Sequence, residues 1–413
     1  MTDGPGRAPS RAVIAGAGLA GGSAALALRD AGFDGEIVLL GSEAHPPYAR
    51  PPMSKEFLRG ERAFAQALLR PAEEYERKGI ELRTLTVAVG FDPAVREVRL
   101  SGGEALRYDR LILATGSRNR SPGVPGEDLD GVLDLRTVED AERIRRAAHP
   151  GLRAVIVGMG FIGSEVAASL RSLGVEVTAV MTGGGPLDRV LGPEVSAVLA
   201  AIHSEHGVRL VRGARLVAFE GSNGRVERAV TYSGERIGCD FAVVGVGVVA
   251  NVELAVAAGL AVEGGGVAVD ERCATGAPGV LAAGDVASFP YPAAGHRIRV
   301  EHWQHAIRHG QAAGLAAAGE GEPYAELPWF WSNQFEHNLQ YLGWHRTWDG
   351  FEVRGSLEER SFVGFFLEGG AMRAAVAMNR GRELRGATEL IRRGGAADPA
   401  SLRDESVDLR SLA

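Results

Sequence analysis

Cysteine is scarce in this sequence, which contains only Cys239 and Cys273 among 413 residues. The two cysteines lie far apart, and no CxxC or CxxxxC spacing occurs. We therefore expect neither a structural disulfide nor a cysteine-based metal site, and we predict no other metal site. A reducing cytoplasm is the compartment that fits this cysteine usage.

Long apolar runs are missing as well. The apolar stretch 13–28 is interrupted by glycines, so it predicts a strand followed by a helix rather than a membrane span. The first ten residues lack the charged-then-apolar order of a signal peptide. We therefore expect no membrane partner.

Positive charge is not in excess, because 45 Lys and Arg against 52 Asp and Glu give a net charge of −7. This balance argues against nucleic acid as a partner. An acidic protein partner would need a local basic patch. The content of 45% hydrophobic and 23% charged residues is typical of a globular protein, and the length predicts two or three domains.

Glycine, by contrast, is abundant, and one glycine pattern occurs twice in the same setting. Each copy follows an apolar run and precedes an alanine-rich stretch that is predicted to be helical, and a second apolar run comes after it. The glycines of the two copies are Gly16, Gly18 and Gly21, and Gly158, Gly160 and Gly163. Strand, glycine turn and helix form the unit that seats a dinucleotide pyrophosphate at a helix N-terminus. With 57 glycines in the chain a chance match is easy, so the repeated strand-to-helix context carries the inference of two dinucleotides.

Two further segments have unusual composition. Four prolines hold the loop 45–55 away from regular structure, and a helical stretch is predicted to begin at Ser54 and Lys55. Four of the five tryptophans lie between Trp329 and Trp348, where alternating segments predict an antiparallel sheet.

Motifs spread over nearly the whole chain resemble the two-dinucleotide flavoprotein family that includes glutathione reductase. The resemblance is stronger to its ferredoxin-reductase branch, which includes putidaredoxin reductase and the reductases of aromatic-ring dioxygenases. Besides the two glycine turns, the motifs are Arg50-Pro51-Pro52-Met53-Ser54-Lys55, Ala114-Thr115-Gly116, Leu135-Arg136-Thr137, Gly284-Asp285, Val300-Glu301-His302-Trp303 and Pro328-Trp329-Phe330-Trp331-Ser332.

The resemblance implies an α/β fold with two Rossmann-like dinucleotide-binding domains of the glutathione-reductase type and a C-terminal α+β domain. The FAD-binding domain would comprise residues 1–112 and 244–320. The NAD(H)-binding domain would comprise residues 113–243 and would be inserted between those parts. The C-terminal domain would comprise residues 321–413.

The resemblance also implies which residues bind FAD. Ser42 occupies the position that contacts the adenosine ribose, often acidic in relatives, and Glu43 is the alternative source of charge. Asp285 would accept from a ribityl hydroxyl, although an Asp at this turn also suits a helix N-cap. Trp303 would lie near the flavin ring, or otherwise in the core. The full set is Gly16, Gly18, Ala20, Gly21, Ser42, Glu43, Arg50, Lys55, Val87, Thr115, Gly116, Arg136, Gly284, Asp285 and Trp303.

The second nucleotide site departs from the family pattern. Relatives usually carry an acid for the NADH ribose where this chain has Met181, and no arginine for a 2′-phosphate follows directly, Arg189 being the nearest cation. We predict NADH, with NADPH as the less favoured nucleotide. The implied contacts are Gly158, Gly160, Phe161, Ile162, Gly163, Glu165, Met181, Arg189 and Gly247.

Lys55 and Glu165 are the predicted catalytic residues. The resemblance implies an ion pair close to the flavin, where a fixed cation stabilises developing negative charge. From the residues alone, the pattern favours a solvated lysine and a glutamate near a helix N-terminus, where the helix dipole stabilises it.

The distribution of cysteines indicates which branch of the flavoprotein family the chain resembles, and therefore which function we predict. Disulfide reductases of the family need a cysteine pair, whereas the span before Cys239 has no cysteine. We predict an NADH-dependent reductase that passes single electrons to a [2Fe–2S] ferredoxin serving a cytochrome P450 or a ring-hydroxylating oxygenase. An apoptosis-inducing-factor-like signalling flavoprotein and a thiol-free NADH oxidase are the alternatives. Candidate docking residues for the ferredoxin are Arg308, His309 and Trp331. The alternative is that Arg308 and His309 belong to a solvated helix face and that Trp331 is a core residue.

Overall fold

The first apolar run forms the central strand of a parallel sheet in the computed structural model, which describes residues 10–396 and 398–412. The central strand and its neighbour Glu36–Leu40 each contain four consecutive buried aliphatic residues, because both faces of the sheet are covered there. The five strands in spatial order are Val280–Ala282, Arg110–Leu113, Arg11–Ala15, Glu36–Leu40 and Ile80–Arg83.

Two helices pack closely on this sheet. Leu19–Asp30 follows the central strand, and Trp303–Ala318 lies against it. A Cβ on Gly310 would lie 2.2 Å from the Ala20 carbonyl oxygen, and one on Gly314 would lie 2.4 Å from that of Ala24. Glycine at both positions is therefore required by the close approach of the two helix backbones.

Smaller elements complete this part of the chain. A three-stranded antiparallel sheet contains Ala88–Asp92, Glu97–Leu100 and Ala105–Arg107. A four-stranded sheet contains Val262–Glu263, Gly266–Ala268, Ala287–Tyr291 and His296–Ile298. The short helices are Ala72–Arg77 and Glu253–Ala257, and the 3-10 turns are Phe64–Ala67, Gly284–Val286 and Pro292–Ala294.

The second glycine pattern lies in a second parallel sheet of the same construction. Its strands in spatial order are Arg209–Val211, Glu176–Val180, Arg153–Val157, Phe241–Val244 and Val132–Asp134. The accompanying helices are Val138–Ala147, Phe161–Ser172 and Asp188–Glu205. A kink at Gly192 and Pro193 divides the last of these. A three-stranded antiparallel sheet follows, formed by Leu216–Ser222, Arg225–Thr231 and Arg236–Gly238.

The aromatic-rich segment forms the predicted antiparallel sheet. Its five strands in spatial order are Trp329–Gln334, His337–Gly343, Ala371–Met378, Ser361–Glu368 and Gly350–Ser356. Helical segments after it are Gly381–Leu384, Arg385–Ala387, Thr388–Arg393, Pro399–Arg403 and Leu409–Leu412. The aromatic side chains of the sheet share a core cluster with the helix Asp188–Glu205.

The chain divides into two units that are each continuous in space but not in sequence. The first unit contains residues 10–49 together with Ala67–Arg118 and Val249–Pro328. The second contains Arg50–Gln66, Asn119–Val248 and residues 329–396 and 398–412. The short strands Ser117–Asn119 and Val248–Ala250 lie where the chain passes between them. Among the described residues, no helix combines the length and apolar character needed to cross a membrane.

The α/β fold class is confirmed, but one local prediction is wrong. A 3-10 turn, Pro51–Ser54, precedes Lys55, and only turns follow it, because the sequence up to Gly60 lacks the apolar repeat of an α-helix. The stretch predicted to be helical after the second glycine turn is confirmed as the helix Phe161–Ser172, with Gly160 as its N-cap.

Candidate active site

The first glycine turn has the shape of a phosphate-binding turn. Gly16 has φ +120°, and a Cβ there would lie 2.2 Å from the Ala114 carbonyl oxygen. A Cβ on Gly21 would lie 1.8 Å from the carbonyl oxygen of Gly16. Nothing lies within 4 Å of a Cβ on Gly18, which caps the helix Leu19–Asp30 without a side-chain hydrogen bond. This end of the helix therefore presents backbone N–H groups toward open space, which fits a pyrophosphate.

The second glycine turn repeats this geometry in the other unit. Gly158 has φ +93°, and a Cβ there would lie 2.3 Å from the Gly245 carbonyl oxygen. A Cβ on Gly163 would lie 1.9 Å from the carbonyl oxygen of Gly158, whereas one on Gly160 meets nothing within 4 Å. The exposed side chain of Ile162 lies in the first turn of the helix that follows. The residues of both turns therefore fit a dinucleotide.

The predicted ribose contacts of the first unit follow its second strand. Ser42 is exposed, whereas the carboxylate of Glu43 accepts a hydrogen bond from the Tyr48 hydroxyl. Thr115 donates from its hydroxyl to the Asn251 carbonyl oxygen at 2.8 Å, which secures the turn that also contains Gly116. The exposed Val87 lies apart in a loop of the same unit.

Asp285 lies in the 3-10 turn Gly284–Val286, where its carboxylate accepts from the Ser117 hydroxyl at 2.6 Å. The N–H of Gly284 donates to Nδ1 of His309 at 3.3 Å. Trp303 begins the helix of this region and is half-buried against the core. The Gly284–Asp285 turn is therefore held by side chains of the same unit.

One predicted docking residue is wrong. His309 is fully buried, and burial lowers the pKa of its imidazole to about 3, so it provides no surface cation at neutral pH. The side chain instead packs against His305 and supports the turn described above. Arg308 is exposed, and Trp331 is half-buried and stacks on Trp329 with ring centroids 5.4 Å apart.

Lys55 and Glu165 form a buried ion pair in the second unit. Nζ of Lys55 lies 2.8 Å from Oε2 of Glu165, and the residues are 3% and 6% exposed. The proline turn delivers Lys55, while the helix Phe161–Ser172 delivers Glu165 in its second turn. The solvated alternative for these residues is therefore wrong.

Hydroxyl groups complete the shell around the Glu165 carboxylate. The Ser54 hydroxyl donates to Oε2, and the Ser332 hydroxyl donates to Oε1 at 2.8 Å. Both serines lie in motifs recognised in the sequence, but their contact with Glu165 was not predicted. A carboxylate whose two oxygens are occupied by donors is satisfied despite its burial.

Arg50 and Arg136 also meet in the second unit. The Arg50 guanidinium donates to the Arg136 carbonyl oxygen. The N–H of Arg136 donates to the carboxylate of Asp140 at 3.0 Å, and Thr137 and Asp140 form a capping box for the helix Val138–Ala147. Because Asp140 accepts these backbone bonds, Arg136 occupies a fixed position at a helix start.

The loop after the strand Glu176–Val180 lacks an acid at its first position. Met181 is buried, and the next carboxylate is that of Asp188, which accepts from the Gly184 N–H at 2.7 Å. Arg189 is exposed and donates to the Thr182 hydroxyl at 3.1 Å. Gly247, in a separate loop of this unit, has φ +101° and open space around a Cβ.

Both cysteines are buried and unavailable for thiolate chemistry at neutral pH. Burial raises the pKa of the Cys239 thiol to about 11 and that of Cys273 to about 12. Each belongs to the hydrophobic core of its own unit. The described structure therefore offers no reactive thiol.

Family profiles account for most of the sequence. Residues 10–310 match the pyridine nucleotide-disulphide oxidoreductase family. The chain belongs to this family. Residues 329–413 match the reductase C-terminal family. Membership makes the chain an oxidoreductase with a flavin and a pyridine nucleotide as cofactors.

Individual relatives of this family member align over nearly its full length. Rhodocoxin reductase of Rhodococcus erythropolis is 36% identical, over 96% of this chain and 93% of that protein. Putidaredoxin reductase of Pseudomonas putida is 35% identical over 97% and 96% of the two chains. The anthranilate 1,2-dioxygenase system ferredoxin–NAD(+) reductase component of Burkholderia cepacia is 38% identical over 97% and 98%.

Solved structures show the same fold. The covalent complex of putidaredoxin reductase with putidaredoxin superposes with a TM-score of 0.95, at 35% identity over 98% of each chain. The ferredoxin reductase for the CYP199A2 system from Rhodopseudomonas palustris superposes with a TM-score of 0.93, at 36% identity over 98% of this chain and 100% of that chain. Relatives and solved neighbours therefore include reductases of ferredoxins.

Proposed function

We propose that this chain is an FAD-dependent NADH–ferredoxin reductase. Bound FAD would supply the chemistry that converts the hydride of NADH into single electrons for a [2Fe–2S] ferredoxin, which would serve a cytochrome P450 or a ring-hydroxylating oxygenase. The relatives named above, with 35–38% identity, are a rhodocoxin reductase, a putidaredoxin reductase and the ferredoxin–NAD(+) reductase component of a dioxygenase system. Nothing in the proposal involves nucleic acid or a membrane.

The observation that carries this proposal is the burial of both cysteines. A disulfide relay needs a thiolate that reaches the flavin and the substrate. Cys239 and Cys273 lie in two separate hydrophobic cores, and the pKa of each thiol is raised by burial. Electrons therefore leave without sulfur chemistry, and a one-electron metal centre on another protein is the acceptor that fits.

The first glycine turn would hold FAD in this scheme. Its open helix end would receive the pyrophosphate, Ser42 or Glu43 would contact the adenosine ribose, and Asp285 would contact the ribityl chain. The residues proposed with them are Gly16, Gly18, Ala20, Gly21, Arg50, Lys55, Val87, Thr115, Gly116, Arg136, Gly284 and Trp303.

The buried ion pair supplies the electrostatics of the reaction. Lys55 provides a fixed positive charge that favours negative charge on a reduced cofactor. Glu165 keeps that ammonium group oriented and prevents it from being an uncompensated buried cation. Because the pair is already formed and dry, no reorganisation of solvent is needed when charge develops.

NADH is the proposed nucleotide, bound through the second glycine turn. The buried Met181 offers no ribose contact, whereas the carboxylate of Asp188 lies beside Gly184 in the same loop. A carboxylate disfavours the 2′-phosphate of NADPH through charge repulsion. The other proposed contacts are Gly158, Gly160, Phe161, Ile162, Gly163, Glu165, Arg189 and Gly247.

The predicted division into three domains and the two remaining docking residues are part of the proposal. The pairing of Val280–Ala282 with Arg110–Leu113 supports an FAD domain built from residues 1–112 and 244–320. The separate five-stranded sheet that begins at Trp329 supports a C-terminal domain at 321–413. Arg308 and Trp331 remain candidates for contact with a ferredoxin.

Reconstitution with a ferredoxin tests the proposed function. Purified protein should be yellow, should bleach when NADH is added without oxygen, and should reduce cytochrome c rapidly only when a [2Fe–2S] ferredoxin is present. NADH should give at least a tenfold higher kcat/KM than NADPH. Rapid oxygen consumption without ferredoxin would instead indicate an oxidase, and a long-lived complex with NADH would indicate a signalling flavoprotein. Protein that takes up no FAD would contradict the proposal altogether.

A further inference from the structure

The first strand of the C-terminal sheet turns alternate side chains toward the ion pair. Phe330, Ser332 and Gln334 are buried, with 7%, 0% and 2% of their surface exposed. This alternation follows from the two-residue period of a strand. Phe330 packs edge-on against Phe161 with ring centroids 4.4 Å apart. Ser332 lies two residues further along the strand and reaches Glu165, which is one helical turn beyond Phe161.

A chain of hydrogen bonds leads from Glu165 away from Lys55. Oγ of Ser332 donates to Oε1 of Glu165 at 2.8 Å and accepts from Nε2 of Gln334 at 3.1 Å. Oε1 of Gln334 lies 2.9 Å from Nε2 of His203. Since the Gln334 amide group donates to Ser332, its carbonyl oxygen faces His203, and Nε2 of the imidazole must carry the proton.

Every bond in this chain therefore points its proton toward Glu165. Desolvation lowers the pKa of His203 to about 4, so the imidazole is a neutral donor at physiological pH. His203, Gln334 and Ser332 add polarity without adding a second charge beside the buried carboxylate. Hydrogen bonds aligned in one direction polarise and strengthen each other.

We propose that Gln334 and His203 are positioning residues that act through Ser332 to hold the Glu165 carboxylate in its orientation toward Lys55. With Oε1 held by Ser332 and Oε2 held by Lys55, the carboxylate cannot rotate out of the pair. This role rests on the proposed function, because it concerns the ion pair that the reductase would use. A functional group needs such a supporting shell to keep its geometry.

An amide-to-acid exchange at Gln334 tests the proposal. In Gln334→Glu the new carboxylate accepts from the Ser332 hydroxyl and draws it away from Glu165. We expect the rate of flavin reduction by NADH, measured anaerobically in a stopped-flow instrument, to fall about tenfold. The Kd for NADH should change less than twofold, since the glycine turn proposed to hold the pyrophosphate is left intact.

Asn333→Asp is the matched control, because it makes the same charge change one residue away on the opposite face of the strand. The control should reduce at the wild-type rate. Equal rates in Gln334→Glu and Asn333→Asp would overturn the positioning role. Wild-type protein that does not bleach with NADH would refute the proposed function instead, so the two failures are distinguishable.

If Gln334→Glu does not fold with FAD bound, the variant Ser332→Ala tests the positioning role instead. The smaller side chain removes the donor to Oε1 of Glu165 and, with it, the acceptor for Nε2 of Gln334. A rate of flavin reduction reduced about tenfold at unchanged NADH affinity supports the proposal. A rate within twofold of wild type overturns it.

Discussion

Lys55 and Glu165 are both charged and buried, and their burial is tolerated because they form an ion pair. Each is almost inaccessible to solvent, and hydroxyl groups of Ser54 and Ser332 satisfy the carboxylate further. Removal of one partner from such a pair leaves an uncompensated charge in the interior, whereas removal of both does not. Structural and chemical roles of the pair are therefore separable by substitution.

Lys55→Met should lower the free energy of unfolding by about 3 kcal/mol, because Glu165 then remains buried without its cation. The double variant Lys55→Met with Glu165→Gln should recover most of that stability. Both variants should still reduce their flavin with NADH about a hundredfold more slowly than wild type, since the fixed cation is absent in each. Thermal unfolding and anaerobic stopped-flow measurements check these outcomes. Recovery of the rate together with the stability would show that the lysine is only structural.

At the scale of elements, the two glycine turns have the same backbone geometry in the two units. In each, the first glycine has a positive φ and touches a neighbouring carbonyl group, and the third allows the helix to approach the turn. The middle glycines, Gly18 and Gly160, face open space and have no packing reason to lack a side chain. Because both turns have glycine at this position without a packing requirement, we infer that the position contacts a ligand rather than stabilises the fold.

Gly160→Ala and Gly163→Ala should therefore separate binding from folding. Gly160 has φ −72°, which alanine adopts readily, so its variant should keep the wild-type melting temperature and full FAD content. The KM for NADH should rise about tenfold, because the methyl group occupies the space proposed for the pyrophosphate. Gly163→Ala should lose about 3 kcal/mol of stability, because its Cβ would lie 1.9 Å from a carbonyl oxygen. An unchanged KM in Gly160→Ala would contradict the assignment of this turn to NADH.

At the scale of the whole molecule, buried neutral histidines link stability to pH in both units. His203 lies in the second unit, and His305 and His309 lie in the first. Burial lowers the pKa of His203 to about 4 and of His309 to about 3, and it holds the pKa of His305 well below 6.5. The unfolded chain protonates these groups near pH 6.5, while the folded chain does not.

Stability should consequently fall as the pH decreases from about 6.5 toward 4. Within that range the unfolded state binds more protons, and each such histidine contributes a loss of about 1.4 kcal/mol per pH unit. Denaturant unfolding at pH 7, 6 and 5 measures the slope. The slope should be smaller in His305→Phe and unchanged in His149→Gln, which alters an exposed position. A slope that His305→Phe leaves unaltered would contradict the linkage.

The fold class was implied by the family resemblance, whereas local patterns were sufficient for the two glycine turns and the aromatic-rich antiparallel sheet. The requirements behind them act over a few residues: a positive φ or a close carbonyl group at a glycine, and a two-residue apolar period in a strand. Gly16 and Gly158 were recognisable for this reason, and so were the strands that precede them. The helix predicted after Lys55 failed because the proline turn was followed by turns without an apolar repeat.

Burial and long-range partnership were decided only by the tertiary structure. The sequence indicated His309 as a surface cation, but in the structure its imidazole is buried against the Gly284 turn, Phe289 and Tyr324, and its neutrality follows from that burial. Ser332 reaches Glu165 across 167 positions of the chain, and Gln334 reaches His203 across 131. Contacts of this length depend on how separate elements pack, and they leave no periodic trace in the order of the residues.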